Sequence, residues 1–396
     1  MRRQLYAIYL INALEGLAGS LVNVFIPIYL LQLGFSLSRV LWFLAEWSIW
    51  ICVWFFLAAV LAGRIGLKRV MALRLPVLLA YFLMLYQLPH SGLPLSVLAV
   101  TISASTALFW YPIHIMFGQR LKGDEDSEEI GKFFAYPQFL AIFAPLLGAA
   151  ITVYAGFNYL FLAAGALYLA GLVPLIWITD YKPAGNLHPK KILFYLRRYP
   201  IYVWTEIVEN MREDAEAYLW PIFVYLSLGS MAAIEGSGAQ ASIGSFAKVG
   251  LVSVGTVSTL AALGSSAFKL FLGNLAGKIN KAILFKAGAV LVSFSWLARY
   301  FIASPSYYYL LTVYASLAGA VLLIPFMSLM YSLAKERNLE EFIIFREIPV
   351  VLGRSMVYAL AAIFVVSFKS VFVIMALVVL WFLFFSPKDF MATKSV

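Results

Sequence analysis

Three glutamates lie inside long apolar segments, where an uncompensated charge is unfavourable. Glu15 occurs in the stretch 5–33, and Glu209 and Glu213 occur one helical turn apart in the stretch 201–229. A charged side chain at membrane depth is costly, so it normally faces a cavity or a partner of opposite charge. We therefore expect these carboxylates to bind a cation, a cationic solute or an exchangeable proton. The alternatives are a protonated Glu15 buried in helix packing and, for the acidic part of the stretch 201–229, an exposed cytoplasmic helix end that includes Glu206.

Other polar side chains in apolar segments are candidates for the same chemistry. His114 can change its charge near neutral pH, which suits proton coupling, although a histidine among aromatic residues is also a common structural residue. Arg354 lies about 13 residues, or about 20 Å, inside its predicted helix, too deep to reach the surface easily. It is expected to pair with a carboxylate, of which Glu46 is one candidate, or to bind an anionic group; Glu46 is otherwise a separate protonation site. Arg346 and Glu347, nearer the helix end, are interpreted as a gate or packing pair.

The composition restricts the class of protein. Of the 396 residues, 63% are hydrophobic and 12% are charged, and the mean hydropathy is +0.90. A soluble domain cannot bury that much apolar surface, so soluble, disordered, fibrous and disulfide-framework proteins are excluded, and a polytopic helical membrane protein remains. The single cysteine, Cys52, excludes an internal disulfide and a cysteine metal cluster, and no cofactor is expected. The net charge of +10 is attributed to the cytoplasmic side of a membrane, with no nucleic-acid partner.

Runs without charged residues indicate how the helices are spaced. No Asp, Glu, Lys or Arg occurs in residues 75–119, 133–179 and 300–334, which are runs of 45, 47 and 35 residues. A spanning helix needs about 20 residues, so each run holds two helices and a short turn. The whole pattern predicts an all-α integral membrane protein with twelve transmembrane helices, at 5–33, 39–62, 70–88, 94–119, 132–154, 158–179, 201–229, 248–276, 282–302, 307–334, 341–368 and 370–386.

Lysine and arginine are distributed unequally between alternate connecting segments. With the N-terminus inside, the inner segments carry 19 of these residues and the outer loops carry two. Cytoplasmic segments are enriched in them, so we expect both termini in the cytoplasm and the protein in the cytoplasmic (inner) membrane. The predicted domains are an N-terminal six-helix bundle (1–180), a basic cytoplasmic linker (181–200), a C-terminal six-helix bundle (201–386) and a cytoplasmic tail (387–396).

The two predicted bundles repeat the same landmarks. Residues 62–65 and 276–279 share an Ala-Gly-basic-Ile pattern at an offset of 214, and Pro112 corresponds to Pro325 at an offset of 213. A glutamate 12 residues before a proline also recurs, at an offset of 194. The change from 194 to 213 implies 19 extra residues in an outer loop at 229–248. A duplicated six-helix unit with pseudo-symmetric halves is typical of many secondary transporters.

The first predicted cytoplasmic hairpin resembles that of the major facilitator superfamily, whose signature is Gly-x-x-x-Asp-basic-x-Gly-basic-basic. Four residues resemble the second part of this signature, with Leu67 between the glycine and the two basic residues: Arg64, Gly66, Lys68 and Arg69. Gly63 stands where the family has Asp. The corresponding hairpin of the second half is similar at Gly277 and Lys278.

A second resemblance to this family lies in the fifth predicted helix. The family's antiporter signature ends Gly-Pro-x-x-Gly-Gly, and Ala144, Pro145 and Gly148 are similar to it. The Arg of the family's fourth-helix proton-antiport signature is absent, because residues 94–119 contain no Arg or Lys. The resemblance covers essentially the whole chain and implies two six-helix bundles around a central cavity, with drug/proton antiport suggested.

The acidic residues and the resemblance together favour a secondary active transporter that moves a small solute by alternating access. The acidic bias favours proton-coupled export of a cationic or amphiphilic solute. The expected partners are membrane lipids, the small-molecule substrate and protons, and the chain is expected to be a monomer or a weak oligomer. The alternatives are a transporter-like sensor or accessory membrane subunit, and a membrane enzyme acting on a lipid-linked substrate. The sequence has no zinc or nucleotide-binding motif that would favour the enzyme.

Overall fold

The computed structural model describes residues 2–120, 126–183, 189–235, 239–276, 281–335, 339–364 and 367–384, and the regular elements in these ranges are helical. In chain order they are α1 (Arg2–Val22), α2 (Phe25–Gln32), α3 (Leu37–Ile65), α4 (Leu67–Ser91), α5 (Leu95–Gly118), α6 (Asp126–Leu140), α7 (Ala144–Tyr154), α8 (Phe157–Leu172), α9 (Pro189–Arg198), α10 (Pro200–Asp214), α11 (Trp220–Glu235), α12 (Ala239–Ala276), α13 (Lys281–Tyr300), α14 (Pro305–Lys335), α15 (Leu339–Ile363) and α16 (Phe368–Val379). Two 3₁₀ turns, Val173–Trp177 and Leu380–Phe384, follow α8 and α16, and a π-helical turn, Ala215–Leu219, joins α10 to α11.

Within the described ranges, nine helical segments are long and apolar enough to cross a membrane. All nine coincide with predicted spans. The other three predicted spans, 201–229, 341–368 and 370–386, are also largely helical. The first two carry several ionisable side chains, which lowers their hydropathy, and the third is represented by the shorter apolar helix Phe368–Phe384. The all-α class predicted from the sequence is thus confirmed for the part of the chain that the structure describes.

Two predicted spans are interrupted, and one predicted loop is largely helical. The span 5–33 breaks between α1 and α2, and the span 132–154 breaks between α6 and α7. Pro27 and Pro145 lie in the first turn of the new helix, where a missing N–H interrupts no hydrogen bond. The segment 229–248 is not an extended outer loop, because α11 continues to Glu235 and α12 begins at Ala239. Its alanine residues favour a helix, so the extra residues lengthen two helices instead.

The N-terminal helices α1–α8 pack against the C-terminal helices α10–α16 along two main contacts. Helix α3 lies along α15, and α7 lies along α12. In the first contact, Phe55 and Ala58 belong to the same buried cluster as Ile344 and Val351. In the second, a Cβ added at Gly255 of α12 would lie 2.6 Å from the Cβ of Ala149, so the two backbones approach closely. A cavity also lies between the N-terminal and C-terminal helices.

Candidate functional site: a charged cavity between the two sets of helices

A cavity of about 290 Å³ lies between the N-terminal and C-terminal helices. Ser20 of α1 and Gln138 of α6 line one side, and residues of α10 to α12 and α14 line the other. Three of the described lining residues are charged: Arg212, Glu213 and Glu216. The others are mostly small or apolar: Ala141, Ala217, Trp220, Pro221, Val257, Ser258, Ala261, Ala262, Ser265, Thr312, Ala315, Ser316, Gly319, Ala320 and Leu323. The cavity therefore combines an apolar surface with hydroxyl groups and a single charged edge.

The charged edge is positioned by an irregular helix. The π-helical turn Ala215–Leu219 directly precedes Trp220 and Pro221. Proline has no backbone N–H to donate to the preceding turn, so the regular hydrogen-bond pattern is interrupted there. Single π turns inside α-helices are often found at functional sites. Glu213, Glu216 and Trp220 all lie on the cavity wall, at spacings of three and four residues that place side chains on one face of a helix.

Two carboxylates of α10 are buried and form ion pairs. Arg212 donates from Nη2 and Nε to the two carboxylate oxygens of Glu209, at 2.5 and 2.9 Å. Glu206 is fully buried and accepts from Arg346 Nε at 3.2 Å and from Tyr202 at 2.7 Å. The interpretation of this stretch as an exposed helix end therefore does not hold for Glu206. Arg346 thus links α15 to α10.

Two further acidic residues of this helix pair with arginines from other helices. Asp214 Oδ2 lies 3.0 Å from Arg354 Nε of α15. Glu216 accepts from Arg299 Nη2 of α13 at 2.7 Å. The Arg299 guanidinium is fully buried, with its central carbon 4.3 Å from the ring centre of Trp220 and 4.1 Å from that of Trp296. Aromatic faces stabilise a desolvated cation, so Arg299 is held by two rings and one carboxylate.

Glu213 differs from the other acidic residues of this helix. Its side chain is exposed, it lines the cavity, and it forms no ion pair with any residue in the described part of the chain. Arg212 and Arg354 are close enough to interact with it electrostatically, but each is already bound to another carboxylate. Glu213 is therefore a carboxylate of the cavity wall that has no ion-pair partner among the described residues.

Glu15 of α1 forms a largely buried ion pair within the N-terminal helices. Arg74 of α4 donates to both of its carboxylate oxygens, at 2.5 and 2.7 Å, and to Ser105 at 3.0 Å. The same guanidinium lies over the rings of Phe109 and Tyr168, at 4.6 and 4.9 Å. Glu15 and Glu209 thus share an arrangement, a buried carboxylate with a bidentate arginine, and neither is among the described lining residues of the cavity.

The remaining sequence candidates lie away from this cavity. Glu46 accepts from Arg39 at 3.0 Å, seven residues earlier on α3, so it is not the partner of Arg354. His114 stacks on Trp110, with ring centres 5.4 Å apart, and faces Phe133 at 6.2 Å. These contacts are those of a packed structural histidine, the alternative considered from the sequence.

A comparison with known families accounts for this architecture. The sequence profile of the Major Facilitator Superfamily matches residues 8–243, which is more than half of the chain. The chain belongs to the major facilitator superfamily. The resemblance drawn from its hairpin and helix-five residues is confirmed. Members of this superfamily are in general transporters rather than enzymes, and the chain is accordingly a multi-pass membrane transporter for a small molecule. No curated protein matches it.

The superfamily hairpin is closed by a residue from a distant part of the chain. Gly66 separates α3 from α4 with a φ of +94°, and a Cβ there would lie 2.5 Å from Asp180 Oδ2. Asp180 accepts from the backbone N–H of Lys68 at 2.9 Å, and the Lys68 ammonium donates to the carbonyl of Ile178 at 3.3 Å. Arg64 and Arg69 are exposed. The second-half residues Gly277 and Lys278 lie outside the described residues.

The helix-five residues of the superfamily signature lie where α7 crosses α1 and α12. Ala144 and Pro145 form the start of α7. Gly148 packs so closely against the Leu21 carbonyl of α1 that an added Cβ would overlap it, and would lie 2.7 Å from the Phe25 ring. The signature residues therefore permit close helix packing and are not among the described cavity-lining residues.

Arg74, Arg299 and Trp220 are the residues that sequence reasoning missed. Both arginines mark the edges of runs without charge, yet each lies inside a predicted helix, which is the signal that could have identified them. Arg299 also follows Trp296 by three residues, a spacing that brings a cation and a ring together on a helix. Among the residues that the structure describes, no group of three or more His, Cys, Asp or Glu side chains could hold a metal ion.

Proposed function

We propose that the chain is a secondary active transporter that exports a cationic or amphiphilic solute by alternating access, in exchange for protons. The observation that carries the proposal is Glu213, a cavity-facing carboxylate without an ion pair among the described residues. Four neighbouring acidic residues, Glu206, Glu209, Asp214 and Glu216, are each bound to an arginine. A cation entering the cavity therefore finds one carboxylate available to it.

The lining of the cavity suits an amphiphilic cation. A charge-assisted hydrogen bond to Glu213 would orient the charged group. The alanine residues, Leu323 and the face of Trp220 would contact an apolar body, and the hydroxyl groups of Ser258 and Ser265 could accept or donate further hydrogen bonds. Mostly apolar pockets with a few well-placed polar groups are the usual form of a small-molecule site.

Proton exchange at the same carboxylate would couple the two movements. When the cavity faces the outside, a proton would bind Glu213 and release the solute cation. When it faces the cytoplasm, the proton would leave and a new cation would take its place. One carboxylate cannot hold both ions at once, so each transport cycle would exchange one for the other. Glu209 lies one turn away, and its negative charge is already compensated by Arg212.

Alternating access requires two bodies that move relative to each other. We propose that these are the two six-helix bundles, 1–180 and 201–386, of a twelve-span protein with both termini in the cytoplasm. The distribution of lysine and arginine supports the orientation, and the duplicated landmarks support the two bundles. The α3–α15 and α7–α12 contacts are then the surfaces along which the bundles rock. The linker 181–200 connects the bundles, and the chain functions as a monomer or a weak oligomer.

The experiment is solute-dependent proton movement in proteoliposomes that carry a trapped pH-sensitive dye. Cationic, anionic and neutral solutes are compared under an imposed pH gradient. We expect cationic amphiphiles to move protons through the wild-type protein, and Glu213→Gln to abolish this response. Glu129→Gln is the matched control, because Glu129 pairs with Lys132 at 3.1 Å and is not among the described cavity residues. Proton movement driven by anions alone, or retained in full by Glu213→Gln, would contradict the proposal.

A further inference from the structure

We propose that the cavity selects solutes that carry a single positive charge, and that Arg212 and Arg299 set this number by neutralising Glu209 and Glu216, which leaves one excess carboxylate, Glu213, at the described wall. The inference rests on the proposed function, because it assumes that the cavity binds cations. It adds a rule for which cations are accepted. The rule follows from counting the charges of the wall and their immediate partners.

Glu216 lines the cavity, but its carboxylate already has an ion-pair partner. Its carboxylate accepts from Arg299 at 2.7 Å, and about a quarter of its side chain, 24%, remains exposed. Arg299 is fully buried between Trp220 and Trp296. Two rings and a carboxylate around a guanidinium form the kind of site that recognises organic cations. Here the protein's own side chain fills that site, so the charge of Glu216 is cancelled.

Arg212 would repel a cation if its own charge were not compensated by Glu209. It lines the cavity, but both arms of its guanidinium that the structure pairs are directed at Glu209. The pair is buried, with 9% and 3% of the two side chains exposed, so it is poorly screened by water and stays neutral as a unit. Arg212 therefore contributes donors to the wall without net charge.

The charges of the described cavity wall and its direct partners do not cancel. At the described wall and its direct partners, three carboxylates oppose two guanidinium groups: Glu209, Glu213 and Glu216 against Arg212 and Arg299. The excess is one negative charge, located on Glu213. A monocation would be neutralised by it. A dication would leave one positive charge uncompensated against a largely apolar cavity wall.

Arg299→Gln tests the rule because it frees Glu216 and raises the excess to two negative charges. The probes are benzyltrimethylammonium and para-xylylene-bis(trimethylammonium), whose fixed charges do not depend on pH. Binding to the purified full-length protein is measured by isothermal titration calorimetry. We expect the wild type to favour the monocation by about tenfold or more, and Arg299→Gln to reverse the order. Arg299→Lys keeps the charge and should keep the wild-type preference.

Two further variants keep the test decisive if Arg299→Gln does not fold. The double variant Glu216→Gln with Arg299→Gln returns the excess to one and should restore the wild-type preference. Ser265→Asp adds a carboxylate to the wall without disturbing either ion pair, and should raise the relative affinity for the dication by about tenfold. Equal affinities in the wild type, or an unchanged ratio in the variants that add a net negative charge, would overturn the rule and leave the proposed function intact. Failure of the wild type to bind either probe would instead contradict the proposed function.

Discussion

Arg74 Nη1 and Nη2 lie 2.5 and 2.7 Å from the two carboxylate oxygens of Glu15, so α4 and α1 are joined by a bidentate ion pair. Only 6% and 13% of the two side chains are exposed. A buried ion pair of this kind adds little to stability compared with apolar residues of the same shape. Removing one partner, however, leaves an uncompensated buried charge, which is strongly destabilising. The first prediction follows from this asymmetry.

Arg74→Gln should destabilise the protein by roughly 3–5 kcal/mol, because the Glu15 carboxylate loses its partner in a buried site. Thermal unfolding in detergent measures the effect. Arg39→Gln is the matched control, since the Arg39–Glu46 pair is 39% and 27% exposed and its loss should cost at most about 1 kcal/mol. The double variant Glu15→Gln with Arg74→Gln should recover part of the loss. Equal destabilisation by the two single arginine variants would contradict this account of Glu15.

Although the two residues are one turn apart, Glu209→Gln should mainly lower stability, whereas Glu213→Gln should mainly remove cation binding. Glu209→Gln leaves the buried Arg212 guanidinium without its carboxylate and should cost roughly 3 kcal/mol of stability. Glu213→Gln removes an exposed carboxylate and should change stability by less than about 0.5 kcal/mol while abolishing cation binding. Unfolding curves and cation titrations on the same samples check both statements. A Glu213→Gln protein that unfolds as easily as Glu209→Gln would show that the two carboxylates are not distinct.

Gly66→Ala should be more destabilising than Gly156→Ala. Both glycines have a positive φ, +94° and +92°, so both variants incur backbone strain. Nothing lies within 4 Å of a Cβ at Gly156, whereas the Asp180 carboxylate lies 2.5 Å from one at Gly66. Displacing Asp180 should add about 1–2 kcal/mol, because the N–H of Lys68 loses its acceptor. Thermal shifts of equal size would mean that the Asp180 contact contributes nothing.

Gly148→Ala and Gly165→Ala compare two glycines inside neighbouring helices. A methyl group at Gly148 would overlap the Leu21 carbonyl, so α7 and α1 must move apart, at a cost of about 1–3 kcal/mol. At Gly165 the new Cβ meets the Phe82 ring at 3.7 Å, an ordinary contact, and the gain in helix propensity should stabilise the protein by up to about 1 kcal/mol. Opposite signs in the two unfolding temperatures are the expected result, and the same sign in both would contradict the packing described here.

Hydropathy predicted the helices well because a spanning helix must be apolar over its whole length, a property of the local sequence. It could not predict the breaks before Phe25 and Ala144, which depend on how each half of a span packs. The outer loop predicted at 229–248 from the repeat offsets was also wrong, because α11 continues to Glu235 and α12 begins at Ala239. Composition alone does not distinguish a flexible linker from an alanine-rich helix end.

The candidate site was predicted by residue type but not by partner. Glu213 is one of several cavity candidates indicated by their depth in predicted helices, and of these it is the one among the described lining residues. Its lack of an ion pair among the described residues could not be foreseen, because the partners are set by the tertiary fold: Arg299 reaches Glu216 across 83 positions of the chain. Glu46 shows the reverse error: its cation, Arg39, was seven positions away, closer than the one considered.

The link between Lys68 and Asp180 has a consequence for the order of events during synthesis. The two residues are 112 positions apart, and a ribosome adds about 5–20 residues per second, so roughly 6–20 s pass between their appearances. During that interval α3 and α4 are complete, but the carboxylate that accepts from the N–H of Lys68 has not yet been made. The turn between them can reach its final geometry once α8 has followed. A nascent chain that stops short of residue 180 would therefore expose an unfinished hairpin to the proteases that survey newly made membrane proteins.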